Sequence, residues 1–131
     1  MVQDGIRAIL EADPRFAYAL VFGSTARGTH HAGSDIDVAV GLLPGTRLSA
    51  LEIGEIIARL ETAAHRDVDL VLLDEAPPAL AYRVFRDGRL LFERDHAAMV
   101  ERKTRAILEY LDFKPIADVF TRSVLKAARH G

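Results

Sequence analysis

The chain has 131 residues, half of them hydrophobic and 27% charged, which suits a single soluble domain with one core. Its net charge of −2 gives no global electrostatic pull toward nucleic acid or an anionic membrane. The absence of cysteine excludes disulfides, zinc–thiolate centres and thiol nucleophiles. No secretory pattern opens the sequence and no apolar run approaches a bilayer's thickness, so a cytoplasmic protein that does not enter membranes is expected. From Met99 onward seven Lys and Arg stand against four Asp and Glu. That mildly basic tail reads first as a solvated helix face and second as an interaction surface.

In chain order, Ile6, Ile9 and Leu10 fall at helical spacing, and Asp13-Pro14 ends that helix. Arg15 to Phe22 reads as a buried strand. Residues 23–34 form a polar loop with room for a short helix from Ser24, and Asp35 to Val40 is a second strand. Gly41, Pro44 and Gly45 break the chain. Ser49, with Glu52 three residues on, makes a capping box for a helix whose apolar face is Leu51, Ile53, Ile56, Ile57 and Leu60. That helix ends near His65, where partial positive charge suits a helix C-terminus.

Asp67 to Leu73 is a third strand, apolar on both faces and therefore expected at the centre of its sheet. A short helix over 79–86 closes at Asp87-Gly88, and Arg89 to Glu93 is an edge strand. Asp95 caps a helix running to about Leu111, with Val100, Ile107 and Leu111 on one stripe. The break at 112–115 and Pro115 start a last helix, with Ile116, Val119, Phe120 and Val124 inside and Asp118–Arg122 as an outer pair. The sum is a small α/β (α+β) domain: a mixed sheet of about four strands, helices mainly on one side, and two C-terminal helices. Residues 1–94 form the core and 95–131 a helical extension of the same domain.

The chemistry concentrates in residues 19–40. An apolar run ends in Gly23-Ser24; ten residues later Asp35-Ile36-Asp37 opens another. Residues i and i+2 of a strand share a face, so Asp35 and Asp37 stand together while Ile36, Val38 and Val40 face a core. Adjacent carboxylates repel, and hard oxygen donors suit Mg²⁺. A Gly-Ser turn can bring backbone N–H groups and a hydroxyl to a phosphate. Asp69, in an apolar strand where an unpaired buried carboxylate is rare, points the same way if the strands are in register. Gly-Ser turns and Asp-x-Asp pairs are commonplace one by one, as turns and surface pairs. Their combination reads as a nucleotidyl-transfer site: two metals, three carboxylates, and a hydroxyl attacking an α-phosphate.

These motifs resemble the nucleotidyltransferase superfamily typified by DNA polymerase beta. Within it they are most similar to the minimal (MNT) antitoxins paired with HEPN-domain toxins. The runs Gly-Ser-Thr-Ala-Arg-Gly at 23–28, Ser-Asp-Ile-Asp-Val-Ala-Val at 34–40, Val-Asp-Leu-Val at 68–71 and Tyr-Leu-Asp-Phe-Lys-Pro at 110–115 carry the likeness. The resemblance implies Asp35, Asp37 and Asp69 as metal ligands for two Mg²⁺ ions, ATP as substrate, and Gly23 and Ser24 at the phosphates. It also implies adenylylation of a tyrosine on a HEPN ribonuclease toxin, with no direct nucleic-acid contact by this chain. Little sequence beyond the core is left to bind an acceptor, so a partner protein is expected to present it, with the C-terminal helices as the docking surface.

Smaller expectations attach to other residues. Arg27 reaches the triphosphate or makes a structural ion pair, and Ser34 caps or bonds Asp35 beside the nucleotide. His30 and His31 read as a solvated loop pair before they read as nucleotide contacts. Arg83 and Arg86 could meet phosphate or partner, whereas Tyr82, Phe85 and Phe92 read as core rather than a base-stacking shelf. Two alternatives compete with the adenylyltransferase: a non-catalytic antitoxin acting by occlusion, and a small-molecule nucleotidyltransferase of the antibiotic-modifying kind.

Overall fold

The computed structural model describes residues 2–23, 26, 35–112 and 122, and the backbone alone of 113–121 and 123–130. Helix α1 (Val2–Ala12) buries Ile6 and Leu10, one turn apart, and ends before Pro14 as its sequence requires. Asp13 then folds the chain back: its carboxylate accepts from the Arg15 backbone N–H at 3.0 Å and from the Arg15 guanidinium at 2.7 Å. The same guanidinium donates to Glu52 at 2.9 Å and so ties the exit of α1 to the start of α2 (Ala50–Ala64). The capping box forms as expected, with Ser49 Oγ accepting from Glu52 N–H and Glu52 accepting from Ser49 N–H.

Strands β1 (Phe16–Phe22), β2 (Ile36–Leu42), β3 (Val68–Leu72) and β4 (Arg89–Glu93) form one mixed sheet in the order β3-β2-β1-β4. The β1 strand is antiparallel to both β2 and β4, and β2 is parallel to β3. The fold class, the four strands and the edge position of β4 are those expected. The central strand is not. β3 lies at an edge, and β1 and β2 hold the middle. An apolar strand reads as central because both its faces are expected to be covered, but in β3 only Val68 is buried, Asp69 is exposed and Leu70, Val71 and Leu72 are half-buried, as an edge position allows.

The helices divide between the two faces instead of packing mainly on one. On one side α1 and α2 meet Val21, Ile36, Val38, Val40 and Val68. On the other, α3 (Pro78–Asp87) and α4 (His96–His130) meet Tyr18, Leu20, Ala39 and Val71. A 3₁₀ turn over Leu73–Glu75 joins β3 to α3.

The two expected C-terminal helices are one. Asp95 caps α4, accepting from Ala98 N–H at 3.0 Å, and the helix then runs through Pro115 without a break. Proline removes one helical N–H at a cost of about 3 kcal/mol. The flanking residues are mostly ordinary helix formers and contain no glycine, so the helix continues across it. Its buried face also differs from the expected stripe. Val100 and Leu111 are 42% and 54% exposed, while Arg102 and Ala106 face inward. Leu51 on α2, expected inside, is 73% exposed. The side chains expected inside the last helix, Ile116, Val119, Phe120 and Val124, and Asp118 of the outer pair, lie outside the described residues.

Candidate active site

The C-terminal end of β1 and the N-terminal ends of β2 and β3 meet at one end of the sheet. Phe22 pairs with Asp37 across the antiparallel β1–β2 ladder, and Asp37 pairs with Asp69 across the parallel β2–β3 ladder. Paired residues on neighbouring strands project to the same face about 4.8 Å apart in the backbone. Asp37 and Asp69 therefore share a face, as the sequence pattern anticipated. Asp35 immediately precedes β2. The register there is pinned by a bond from Ile36 N–H to the Asp67 carbonyl at 2.9 Å.

The start of β3 is braced independently. Val68 N–H donates to Glu61 of α2 at 2.9 Å, and His65 closes that helix in the left-handed conformation at φ +54°. An edge strand is thereby held at its first residue, one position before Asp69. Arg66, which sequence reading passed over, brings a guanidinium to this junction with one buried nitrogen that has no hydrogen-bond partner among the described residues.

Gly23 follows β1 at φ +61°, in the left-handed region. A Cβ there would lie 2.5 Å from Asp37 Oδ2 and 3.3 Å from its Cγ. Two independent reasons, backbone conformation and the seating of the Asp37 carboxylate, thus call for glycine. Sequence reading supplied a different reason, the approach of backbone to a phosphate.

Asp35 and Asp69 are exposed and Asp37 is half-buried. The expectation that the apolar third strand buries its aspartate does not hold. Asp69 faces open solvent because β3 is an edge strand, where water can reach the carboxylate. Among the described residues no three Asp, Glu or His side chains stand close enough to hold a metal as they are. The donor set still fits a hard divalent cation: carboxylates on adjacent, register-locked strands with a third two residues upstream. Ser24, Arg27, His30, His31 and Ser34 lie outside the described residues.

Of the remaining candidates, Phe85 and Phe92 are core residues. Tyr82 is half-buried and stacks on Tyr110, ring centroids 4.1 Å apart and the ring planes nearly parallel. Arg86 lies over the Tyr82 ring and pairs with Asp87 at 2.8 Å, and Arg83 is exposed.

Residues 4–97 match the sequence model of the family described as polymerase beta nucleotidyltransferase. The chain belongs to that family. Among curated proteins, this nucleotidyltransferase is 30% identical over 128 residues to the protein adenylyltransferase MntA of Shewanella oneidensis, covering 95% of this chain and 91% of that protein. Its structure matches that of a toxin–antitoxin with AMP-PNP at a TM-score of 0.80 and 26% identity, covering 95% of this chain and 99% of the other. It shares its fold, at a TM-score of 0.74 and 23% identity, with a chain from the tri-AMPylated Shewanella oneidensis HEPN toxin in complex with MNT antitoxin, covering 95% and 96% of the two chains. Among the described residues no helix is long and apolar enough to cross a membrane.

Proposed function

We propose that this chain is an antitoxin that transfers AMP from ATP to a tyrosine hydroxyl of a partner HEPN-domain ribonuclease toxin. The observation that carries the reading is the register of Asp37 against Asp69, with Asp35 beside them and Gly23 shaped around the Asp37 carboxylate. Near full-length similarity to a protein adenylyltransferase directs that geometry toward a protein acceptor.

In the reaction the tyrosine oxygen forms a bond to the α-phosphorus, the bond from that phosphorus to the oxygen bridging to the β-phosphate breaks, and pyrophosphate leaves. Asp35, Asp37 and Asp69 would hold two Mg²⁺ ions, which when bound neutralise the triphosphate and lower the pKa of the attacking hydroxyl. Gly23 lets the backbone approach phosphate oxygens, and the family resemblance assigns Ser24 as hydroxyl donor and Arg27 and Ser34 as further nucleotide contacts. Asp69, at the open edge of the sheet, meets the acceptor from solvent and takes its proton. The transferred phosphate adds negative charge at the toxin's ribonuclease site and repels RNA there.

An exposed apolar stripe on α4 supports the reading as well. Val100, Leu108 and Leu111 are exposed at helical spacing on α4, and such a stripe is a natural seat for a partner protein. Intact mass spectrometry of the cognate HEPN protein, after incubation with this chain, Mg²⁺ and ATP, tests the proposal. A gain of one or more AMP units, absent with the Asp35→Asn/Asp37→Asn double variant, is expected. A stable complex without mass gain would replace catalysis by occlusion. Neither gain nor complex would favour a small-molecule acceptor.

A further inference from the structure

The sheet has two edges, and they are finished differently. On β4 the pairing with β1 shifts register between Ala19 and Leu20, and Arg89 and Glu93 put charges at the two ends of the strand. Bulges and charges are the usual protection of an edge against pairing with another chain. The β3 edge lacks both devices. Its ladder with β2 runs from Val68 to Leu72 without a shift, and it contains no proline or lysine. Its one charged residue is Asp69, which belongs to the carboxylate site.

The ladder also fixes which backbone groups this edge presents. Ile36 pairs with Val68, and Ile36 N–H donates to the Asp67 carbonyl at 2.9 Å. In a parallel pair alternate residues turn their N–H and C=O toward the neighbouring strand. Asp67, Asp69 and Val71 therefore turn theirs toward β2, and Val68, Leu70 and Leu72 turn theirs away. Val68 N–H is already taken, by the Glu61 carboxylate at 2.9 Å. The Leu70 N–H and C=O and the Leu72 N–H have no hydrogen-bond partner among the described residues. The open stretch of edge thus begins directly after Asp69.

We infer that this edge seats the acceptor: an extended segment of the partner protein, carrying the tyrosine, pairs with Leu70 and Leu72 as a fifth strand. The inference rests on the adenylyl-transfer reading, which needs a tyrosine hydroxyl brought to Asp69. Asp69 stands on the edge strand itself, exposed, on the face of the sheet it shares with Asp37. A residue opposite it on an added strand points to that same face from about 5 Å away. Main-chain bonds hold such a segment, and the side chain that stands opposite Asp69 is the one presented to the site. The apolar stripe on α4 anchors the body of the partner, and β3 takes its acceptor segment.

Amide hydrogen–deuterium exchange resolved to single residues, on the whole chain alone and saturated with the HEPN toxin without ATP, tests the docking. The Leu70 and Leu72 amides should exchange about tenfold more slowly, or slower still, in the complex. Val68, already bonded to Glu61, should change little. Leu70→Pro supplies a second measurement. Proline is tolerated on an edge strand where its missing N–H faces away from the ladder, and it suits an extended residue before it. It should weaken the toxin complex about tenfold relative to Leu70→Ala, which also loses the leucine side chain but keeps the N–H. Unchanged exchange of Leu70 and Leu72 in a saturated complex would overturn the inference, and so would equal affinities of the two variants. Slow exchange in the free chain that quickens on dilution would put a second copy on the edge instead. AMP transfer without protection would remove the docking and leave the function. Protection without transfer would keep the strand pairing and remove the function, and absence of any complex would remove both.

Discussion

Gly23→Ala separates what the backbone needs at this position from what the chemistry needs. Two effects enter. An alanine at φ +61° costs about 1 kcal/mol of left-handed strain. Its Cβ would also lie 2.5 Å from Asp37 Oδ2, where ordinary contact begins at 3.4 Å, so the carboxylate must retreat by about 0.9 Å. A reacting group misplaced by about 1 Å costs on the order of 100-fold in rate. Gly45 supplies the control. It has φ +83°, and a Cβ added there would meet nothing within 4 Å, so Gly45→Ala carries the strain without the collision.

Both variants should therefore lose about 1 kcal/mol, seen as a fall in Tm of roughly 3–6 °C for a chain of this length. Only Gly23→Ala should lose AMP transfer, by about 100-fold. The assay pairs initial rates of toxin adenylylation with thermal denaturation of each variant. If Gly23→Ala transferred AMP as fast as Gly45→Ala while melting at the same temperature, the seating of Asp37 by Gly23 would have no catalytic meaning.

Asp69→Asn should lower kcat by about 100-fold or more with little change in the KM for ATP, measured by steady-state transfer kinetics; a rise in KM alone would remove Asp69 from proton transfer. Leu108→Asp with Leu111→Asp, two residues 56% and 54% exposed, should weaken the toxin complex about tenfold in calorimetric titration while leaving Tm unchanged, and an unaltered affinity would move docking off this face of α4. Asp13 provides a pH signature. Its carboxyl is held below the usual carboxylate range, chiefly by the side-chain hydrogen bond from Arg15. A depressed folded pKa gives stability that is complete above about pH 4 and is lost as pH falls through the folded value. In urea titrations Asp13→Asn should thus be less stable than the parent at pH 7, with the gap closing below about pH 4; a gap constant down to pH 2 would contradict the Asp13–Arg15 account.

Where local chemistry decides structure, the sequence was readable. The capping box at Ser49 and Glu52, the stop at Pro14, the cap at Asp95 and the shared face of Asp37 and Asp69 each follow from a few neighbouring residues. Position within the sheet does not. The hydrophobic pattern of β3 records that each face packs in part against apolar neighbours, and says nothing about which strand lies beside it. The reading of Pro115 as a boundary failed for a related reason. Its local penalty is real, but about 3 kcal/mol is small beside the cooperative continuation of a helix on either side.

The burial of Arg102 beside Tyr18 was invisible for a stronger reason. Tyr18 lies in an apolar strand and reads as core. Arg102 lies on a charged helix and reads as surface, in a segment whose apolar residues suggested a different inward face. What brings them together is that α4 turns Ala98, Arg102 and Ala106 toward the sheet and leaves Val100, Leu108 and Leu111 outside. Small residues let the helix approach the sheet closely, and the long Arg102 side chain then reaches the Leu73 carbonyl. One rotational choice by α4 therefore has two consequences. It buries the Arg102 guanidinium against the sheet, and it exposes the apolar stripe on which a partner can dock. Disrupting the stripe should leave the Arg102–Leu73 hydrogen bond intact, because the two lie on different sides of the same helix.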